Sequence, residues 1–524
     1  MKLRRAVRAG LIAGAGLIGG AVWSGRAPVT AHAAAFATPT DDLVDRGRYL
    51  ATAADCAACH TAEGGQPFAG GRPIPTPFGT LYTPNITPDR ETGIGSWTEA
   101  DFHHALHDGI GKDGVHLYPG MPYQWYTRIT PDDVTAIRAF MASVPPVHQV
   151  NRPNTLRFPF NLRAGLAVWN AAFFSPGTFK PDPDRSAAVN RGAYLVEALG
   201  HCGACHTPKN LAQAPVSGQF LAGGSIQGWY APNISSDIRE GIGGWTDAQI
   251  VAYLKTGVAA GKAITQGPMA ETIHDSLSKL TDADLDAIAQ YLKSTPSQAI
   301  YAKAEAAPYF DARPPGAQVY LSNCAICHQV DGRGNASAVP PLRGNGAVTA
   351  GGPQDVIRAV LGGIEAHGTY APMPAIGATM TDDDVASVVN YVRQTFGEGT
   401  PSTVGPGAVA ALRADTRTLL ANNRPACPAI VPASLATSVA DPASGIATAL
   451  RGIDQVTMLP RVREIVARAG AANPQVSRAD LVNGLVAAYC PVINATSLGA
   501  ADRVVTLNRF AGLVYTELAD HGQN

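Results

Sequence analysis

Apolar residues recur at helical spacing three times along the chain, each time behind a side chain suited to cap a helix. Thr130 precedes Asp133, and Val134, Ile137 and Met141 follow. Thr281 precedes Asp284, with Leu285, Ile288 and Leu292 behind it. Thr381 precedes Asp384, with Val385, Val388 and Val392. A threonine oxygen accepts from a first-turn N–H, an acidic residue there suits the positive helix end, and the apolar stripe supplies a face to bury. A shorter helix is predicted ahead of each, at Arg46-Gly47-Arg48-Tyr49-Leu50, at Arg191-Gly192-Ala193-Tyr194-Leu195 and at Gly316-Ala317-Gln318-Val319-Tyr320-Leu321. The pattern predicts an all-α fold of three tandem units joined by long loops.

The pattern changes at three places. Lys2, Arg4, Arg5 and Arg8 precede a short apolar run, Ala9 to Val22, and Ala31-His32-Ala33 supplies small residues that a signal peptidase reads. Residues 1–33 are therefore expected to be an export signal. An uncleaved anchor is the alternative, although the run is shorter than a span of about 20 residues. The Arg4-Arg5 pair permits twin-arginine export, but its neighbours fit that pattern poorly. Between the first two units, Phe158, Phe160, Leu162, Leu166, Trp169, Phe173 and Phe174 crowd together with Arg157 and Arg163. An interfacial helix, a partner-docking patch or packing on a neighbouring unit would each account for this stretch. After 398, Thr400 to Gly407 reads as a linker, and a mainly helical extension follows with apolar stretches at 462–469 and 479–489. The expected organisation is 40–148, an apolar linker at 149–182, 183–300, 308–398, and an extension at 408–524.

At 524 residues, the chain is long enough for several such units. Lys and Arg (40) balance Asp and Glu (41), which gives no sign of nucleic-acid binding, and 55 Gly with 40 Pro imply many turns. The cysteines change the picture most. Six of eight fall in Cys56-Ala57-Ala58-Cys59-His60, Cys202-Gly203-Ala204-Cys205-His206 and Cys324-Ala325-Ile326-Cys327-His328. C-x-x-C-H attaches a c-type haem: two thiols add across the vinyl groups, and the adjacent His60, His206 or His328 becomes the proximal iron ligand. A redox disulfide or a zinc cluster competes for a single motif. Three copies on one plan, each with a helix before and after, point to three covalent haem c groups in small class I cytochrome c units. The aromatics of the opening helices then face a haem or a partner helix.

A second axial ligand decides whether such an iron transfers electrons or binds small molecules. Of seven Met, Met121 lies in Pro119-Gly120-Met121-Pro122, Met269 in Gly267-Pro268-Met269-Ala270 and Met373 in Ala371-Pro372-Met373-Pro374. Each is expected in a Pro-containing loop ahead of a capped helix. Met380 rivals Met373, while Met141 and Met458 read as core. His103, His104, His107 and His116 offer bis-His ligation of the first haem or, alternatively, a solvated and locally satisfied set. His201 is expected to pack beside a haem edge. The first two units also share Tyr82-Thr83-Pro84-Asn85-Ile86 with Tyr230-Ala231-Pro232-Asn233-Ile234, and Gly93-Ile94-Gly95-Ser96-Trp97 with Gly241-Ile242-Gly243-Gly244-Trp245. Duplication explains this. Asn85 and Asn233 either bond a propionate or cap a turn, and Trp97 and Trp245 either pack on a propionate or fill the core. Cys427 and Cys490 remain, and an exported chain is expected to pair them, free or partner-linked thiols being the alternative.

From about 40 to 398 the chain resembles the tri-haem cytochrome c subunit of bacterial membrane-bound dehydrogenases acting on alcohols, aldehydes, gluconate, sorbitol or fructose. The most specific stretches are Asn85-Ile86-Thr87-Pro88-Asp89 with Gly93-Ile94-Gly95, Leu117-Tyr118-Pro119-Gly120-Met121-Pro122-Tyr123, and Asn151-Arg152-Pro153. The resemblance implies axial pairs His60/Met121, His206/Met269 and His328/Met373. It also implies a periplasmic subunit at the outer face of the cytoplasmic membrane. Electrons would come from a quinoprotein, flavoprotein or molybdenum dehydrogenase and leave towards ubiquinone or a terminal oxidase. The rival readings are a multihaem peroxidase or thiosulfate dehydrogenase, and a cytochrome subunit of a terminal oxidase.

Overall fold

The computed structural model describes residues 40–299, 315–329, 331–334, 339–397, 400, 402–422, 433–454, 456–476, 478–499 and scattered positions between 502 and 518. The expected export signal at 1–33 and Cys427 lie outside the described residues.

Three closing helices, Pro131–Ser143, Asp282–Ser294 and Asp382–Phe396, start where the caps predict, with Thr130, Thr281 and Thr381 accepting from the N–H of Asp133, Asp284 and Asp384. Their predicted apolar stripes are buried throughout. Each closing helix is crossed by an opening helix: Asp41–Ala53; Ala187–Tyr194, which runs on into a π-helical turn at Leu195–Leu199; and Ala317–Asn323. The crossing is backbone against backbone. A Cβ on Gly47 would stand 1.9 Å from the Ala136 carbonyl oxygen, on Gly192 1.9 Å from that of Ala287, and on Gly316 2.1 Å from that of Ser387. Only glycine admits that approach.

The expectation of an all-α fold needs correction. The loops between attachment and closing helices carry antiparallel hairpins, Pro73–Thr76 with Gly79–Tyr82 in the first unit and Gly224–Ile226 with Trp229–Ala231 in the second. Shorter pairs join Ile110–Gly111 to Val115–His116 and Val258–Ala259 to Ala263–Ile264. A long loop wrapped around a core has to satisfy its own N–H and C=O groups, and local pairing does so. Helical periodicity is blind to strands of two to four residues.

The segment between the first two units is not a free connector either. Thr155–Leu156 adds a third strand to the first hairpin, and the side chains of Asn151 and Asn154 accept from the backbone N–H of Asn85 and Tyr82. The helix Ala164–Phe173 follows; Tyr123 donates to its Asn170 (2.7 Å), and its Trp169 Nε1 donates to the Ala212 carbonyl in the second unit (2.9 Å).

Units one and two share one continuous core, in which Leu50, Tyr126, Ile137 and Met141 meet Leu195, Leu254, Leu285 and Leu292. Their polar contacts are reciprocal. Tyr49 donates to Asp284 (2.6 Å), which also takes two bonds from Arg191, while Tyr194 donates to Asp133 (2.6 Å), which is paired with Arg46. The aromatic of each opening helix thus reaches the start of the other unit's closing helix. Charge-assisted bonds of this kind fix geometry as well as adding energy.

The third unit has its own core of Tyr320, Ile357, Val385, Val389 and Phe396, and the segment expected to be a linker belongs to it. Asn390 holds the Val404 backbone in both directions. From the helix Pro406–Asn422, Arg413 reaches Asp382 and the carbonyls of Gly377 and Met380. Beyond lies a helical module, Ala433–Ala440, Ile446–Arg451, Met458–Ala472 and Arg478–Asn494, around Leu435, Met458, Ile465, Leu485 and Tyr489. The predicted stretches 462–469 and 479–489 fall within its last two helices. Met141 and Met458 are core residues, as expected.

Candidate haem-binding sites

Each C-x-x-C-H motif ends in a short helix directly behind an opening helix: Cys56–His60, Gly203–His206 and Ala325–His328. In the first two, the residue before the first Cys turns the chain with a positive φ, 53° at Asp55 and 37° at His201. A backbone frame then repeats in all three units. Gly70 N–H donates to the His60 carbonyl (2.7 Å), Gly223 to that of His206 (2.8 Å) and Gly334 to that of His328 (3.0 Å). The loop that closes behind the motif is therefore held the same way in the third unit, although that unit lacks the duplicated sequence block.

The imidazoles are oriented by a second backbone contact. His60 Nδ1 bonds the Pro84 carbonyl (2.8 Å) and His206 Nδ1 the Pro232 carbonyl (2.6 Å). A carbonyl only accepts, so Nδ1 carries the proton and Nε2 presents its lone pair. That tautomer is the one a metal needs. Burial lowers the pKa of His60 and His206 and takes His328 to about 4, which keeps the rings neutral. His328 Nδ1 is buried beside the Pro340 carbonyl without reaching full hydrogen-bond geometry. The sequence showed Pro84 and Pro232 inside the duplicated block, but nothing in it assigned them to the histidines.

The thiols fit haem attachment better than redox chemistry. All six are free; burial pushes those of Cys56, Cys202 and Cys324 up to about 12, while Cys59 and Cys327 are exposed. A redox-active C-x-x-C needs the opposite, a depressed thiol. His60 and Cys56 lie deep among protein atoms yet retain accessible surface, as residues lining a crevice do. The residues present therefore suit a covalently held haem.

Met121 and Met269 pack at the edge of the joint core of units one and two. Met269 is not in a loop, as expected, but in the first turn of the helix Gly267–Asp275, started by Pro268. Met373 exchanges both backbone bonds with Ile364 (2.8 and 2.9 Å), a bridge that fixes its place. Its rival Met380 packs on the core of the third unit instead.

The other candidates resolve towards structure. Asn85 is 2% exposed and fully engaged: its amide donates to Thr92 and the Val147 carbonyl, and its oxygen accepts from the Thr87 N–H and hydroxyl. Asn233 makes part of the same set, donating to the Gln298 carbonyl and accepting from the Ser235 N–H and hydroxyl. Both clamp a turn, and Asn85 has no side-chain atom left for a propionate. Trp97 and Trp245 pack against the core. His104 and His107 both bond Asp108 (2.6 and 2.8 Å), and His103 stacks on His107, a locally satisfied set. His116 stands apart, in a short strand, its Nδ1 buried without a partner. His201 packs on Tyr126 of the first unit, with ring centroids 5.3 Å apart, and burial lowers it to about 4. Cys490 is disulfide-bonded.

Sequence reasoning missed the contact between the first two sites. Arg72 donates to the Ala58 carbonyl inside the first motif (2.6 Å) and pairs with Glu271 on the helix that carries Met269 (2.7 Å). Trp125, four residues after Met121, stacks on Phe220 of the second unit (5.8 Å) and lies over Gly203 in the second motif, where a Cβ would come within 2.3 Å of its ring. Burial, with Asp275 and Glu271 alongside, raises Asp55 to about 7.

The fold and these sites define a c-type cytochrome, and comparison with known sequences agrees. The cytochrome c family profile matches residues 44–145, 189–296 and 314–396, and the chain belongs to that family. The gluconate 2-dehydrogenase cytochrome c subunit of Pantoea cypripedii is 40% identical over 400 residues, 72% of this chain and 90% of the relative. The cytochrome c subunit of the quinone-dependent alcohol dehydrogenase of Gluconacetobacter polyoxogenes is 39% identical over 422 residues, 74% of this chain and 90% of that one. A nicotinate dehydrogenase subunit from Pseudomonas putida is 41% identical over 377 residues, 70% of this chain but only 32% of that longer protein. Membership of the family implies covalently bound haem c. No helix among the described residues is long and apolar enough to cross a membrane.

Proposed function

We propose that the chain holds three haem c groups, on Cys56/Cys59, Cys202/Cys205 and Cys324/Cys327, and serves as the electron-transfer subunit of a dehydrogenase complex. Bound haem supplies reversible one-electron exchange between ferric and ferrous iron. His60, His206 and His328 offer neutral Nε2 atoms that would serve as iron ligands, and Met121, Met269 and Met373 would supply thioethers as the second ligands. A thioether ligand would favour the reduced metal and leave no open position for peroxide or oxygen, which argues against peroxidase chemistry. The carbonyls of Pro84 and Pro232 hold two of the rings against rotation. Units one and two, locked through Tyr49, Tyr194, Arg72 and Trp125, keep their two sites at one rigid interface, so that little rearranges when charge moves between them.

The observation that carries this reading is the threefold recurrence of motif, glycine bond and methionine in a chain that covers nine-tenths of the gluconate and alcohol dehydrogenase cytochrome subunits. By their analogy, a catalytic dehydrogenase subunit donates the electrons, ubiquinone or a terminal oxidase receives them, and the chain works in the periplasm at the membrane. A disulfide between Cys427 and Cys490 belongs to the same reading. The test is affinity purification from native membranes, identification of co-purified subunits, and a substrate-driven haem-reduction assay. The expected result is a co-purifying dehydrogenase whose alcohol, aldehyde or sugar substrate reduces the haems. Recovery of the cytochrome with oxidase subunits, and no substrate-driven reduction, would overturn it.

A further inference from the structure

The segment after the first hairpin combines features that usually exclude one another. Its backbone is tied down, yet its large apolar side chains face solvent. Arg157 N–H donates to the Phe78 carbonyl (2.9 Å), Tyr118 donates to the Phe160 carbonyl (3.0 Å), and Arg163 donates to the His116 carbonyl (2.6 Å) while lying over the Tyr118 ring. Phe160 stacks on Phe78 (3.9 Å), and the following helix is pinned through Leu166, Asn170 and Trp169. Against this fixed frame Phe158 is 77% exposed and Val168 72%, and Phe160, Leu162 and Phe173 are exposed as well. Burying any one of these side chains is worth about 1.5–3 kcal/mol, so a fixed backbone holding five of them in water implies something that covers them.

Charge indicates what that is. From Val134 to Pro181 the sequence has no Asp or Glu, while Arg152, Arg157, Arg163 and Lys180 lie in or beside the apolar stretch. Aromatic and aliphatic side chains with arginines at the rim, on a helix of ten residues, are the make-up of a segment that lies in a lipid interface rather than spanning it. Arginines reach phosphate headgroups while their stems stay with the apolar layer. Among the described residues of the C-terminal module only Val456 and Leu459 are exposed large apolar side chains, and the helix faces meet one another around Met458, Ile465 and Leu485.

We propose that the segment from Arg157 to Phe173 is an interfacial anchor that seats Phe158, Phe160, Leu162, Val168 and Phe173 in the surface of an anionic lipid bilayer. The inference deepens the electron-transfer reading by naming the face turned to the membrane, and its test does not depend on a dehydrogenase. Purified holo-cytochrome is sedimented with phosphatidylcholine vesicles and with mixed phosphatidylcholine–phosphatidylglycerol vesicles, and bound protein is read from haem absorbance. Binding to the mixed vesicles is expected. It should weaken by about a hundredfold in the Phe158→Ser/Val168→Ser double variant, which takes two exposed apolar side chains out of the lipid layer. Arg157→Gln should reduce its dependence on salt. All three side chains are exposed, so an unchanged haem spectrum and melting temperature will show that the variants fold. The absence of vesicle binding, or binding that the double variant leaves unchanged, would overturn the proposal. So would a double variant that binds vesicles normally but no longer co-purifies with its dehydrogenase, since the patch would then be a protein-docking surface. Substrate-driven haem reduction in detergent is independent of these outcomes, so loss of the anchor and loss of the electron-transfer function are separable.

Discussion

Asp55 and His201 occupy equivalent places, each immediately before the first cysteine of a motif and each pressed against the other unit, but they carry opposite chemistry. Burial beside Asp275 and Glu271 raises Asp55 to about 7, with Arg72 and Thr272 opposing. Its folded value thus lies above the usual carboxylate range. The folded protein therefore keeps a proton that the unfolded chain releases from about pH 4 upward, and this contribution to stability is lost as pH rises through about 7. Asp55→Asn removes the titration. Its melting temperature is expected to fall less than that of the parent between about pH 5 and pH 8; parallel curves would show that Asp55 is no such group. At this scale the sequence was partly legible. It pointed to the cysteines and histidines, because covalent attachment demands those residue types at that spacing, and to the methionines by their Pro-containing surroundings ahead of a capped helix. It left Asn85 and Asn233 open between propionate and turn, because an amide serves either purpose and only its partners decide. The roles of Pro84 and Pro232 were hidden because a backbone carbonyl has no sequence signature.

At the scale of elements, the closing helices were the most legible part of the chain, since cap, acidic first turn and apolar stripe agree at each. The opening helices were recognised by position, but the reason for Gly47, Gly192 and Gly316 emerged only from the crossing. A methyl group on Gly192 would meet the Ala287 carbonyl at 1.9 Å. Gly192→Ala is expected to cost at least the roughly 1–3 kcal/mol of an overpacked core, because the obstacle is backbone and cannot change rotamer. A denaturant titration of the holo-protein measures this, and a stability equal to the parent's would contradict the close crossing. The hairpins escaped prediction because their strands are too short for alternation to register. The segment 402–422 was assigned to a linker and extension because Gly and Pro dominate its start. Its attachment runs through Asn390, Arg358 and Arg413, single polar side chains that leave no periodic trace.

At the scale of the whole molecule, the sequence indicated three units but not how they meet. Units one and two form a reciprocal pair through Tyr49–Asp284 and Tyr194–Asp133. The third docks on the hairpin of the second, where the Tyr230 N–H donates to Asp355 (2.9 Å) and Arg358 lies over Trp229 (4.7 Å). Trp229 in turn fills the space beside Gly267, two residues ahead of Met269. Contacts between units depend on side chains far apart in sequence, which periodicity does not connect. The most direct test of the account is the intact mass of the mature protein made in a host that attaches c-type haem. The account predicts the mass of the polypeptide plus three haems, falling by one haem in Cys202→Ala/Cys205→Ala. A parent mass with two haems or fewer, or a double variant that keeps all three, would contradict it.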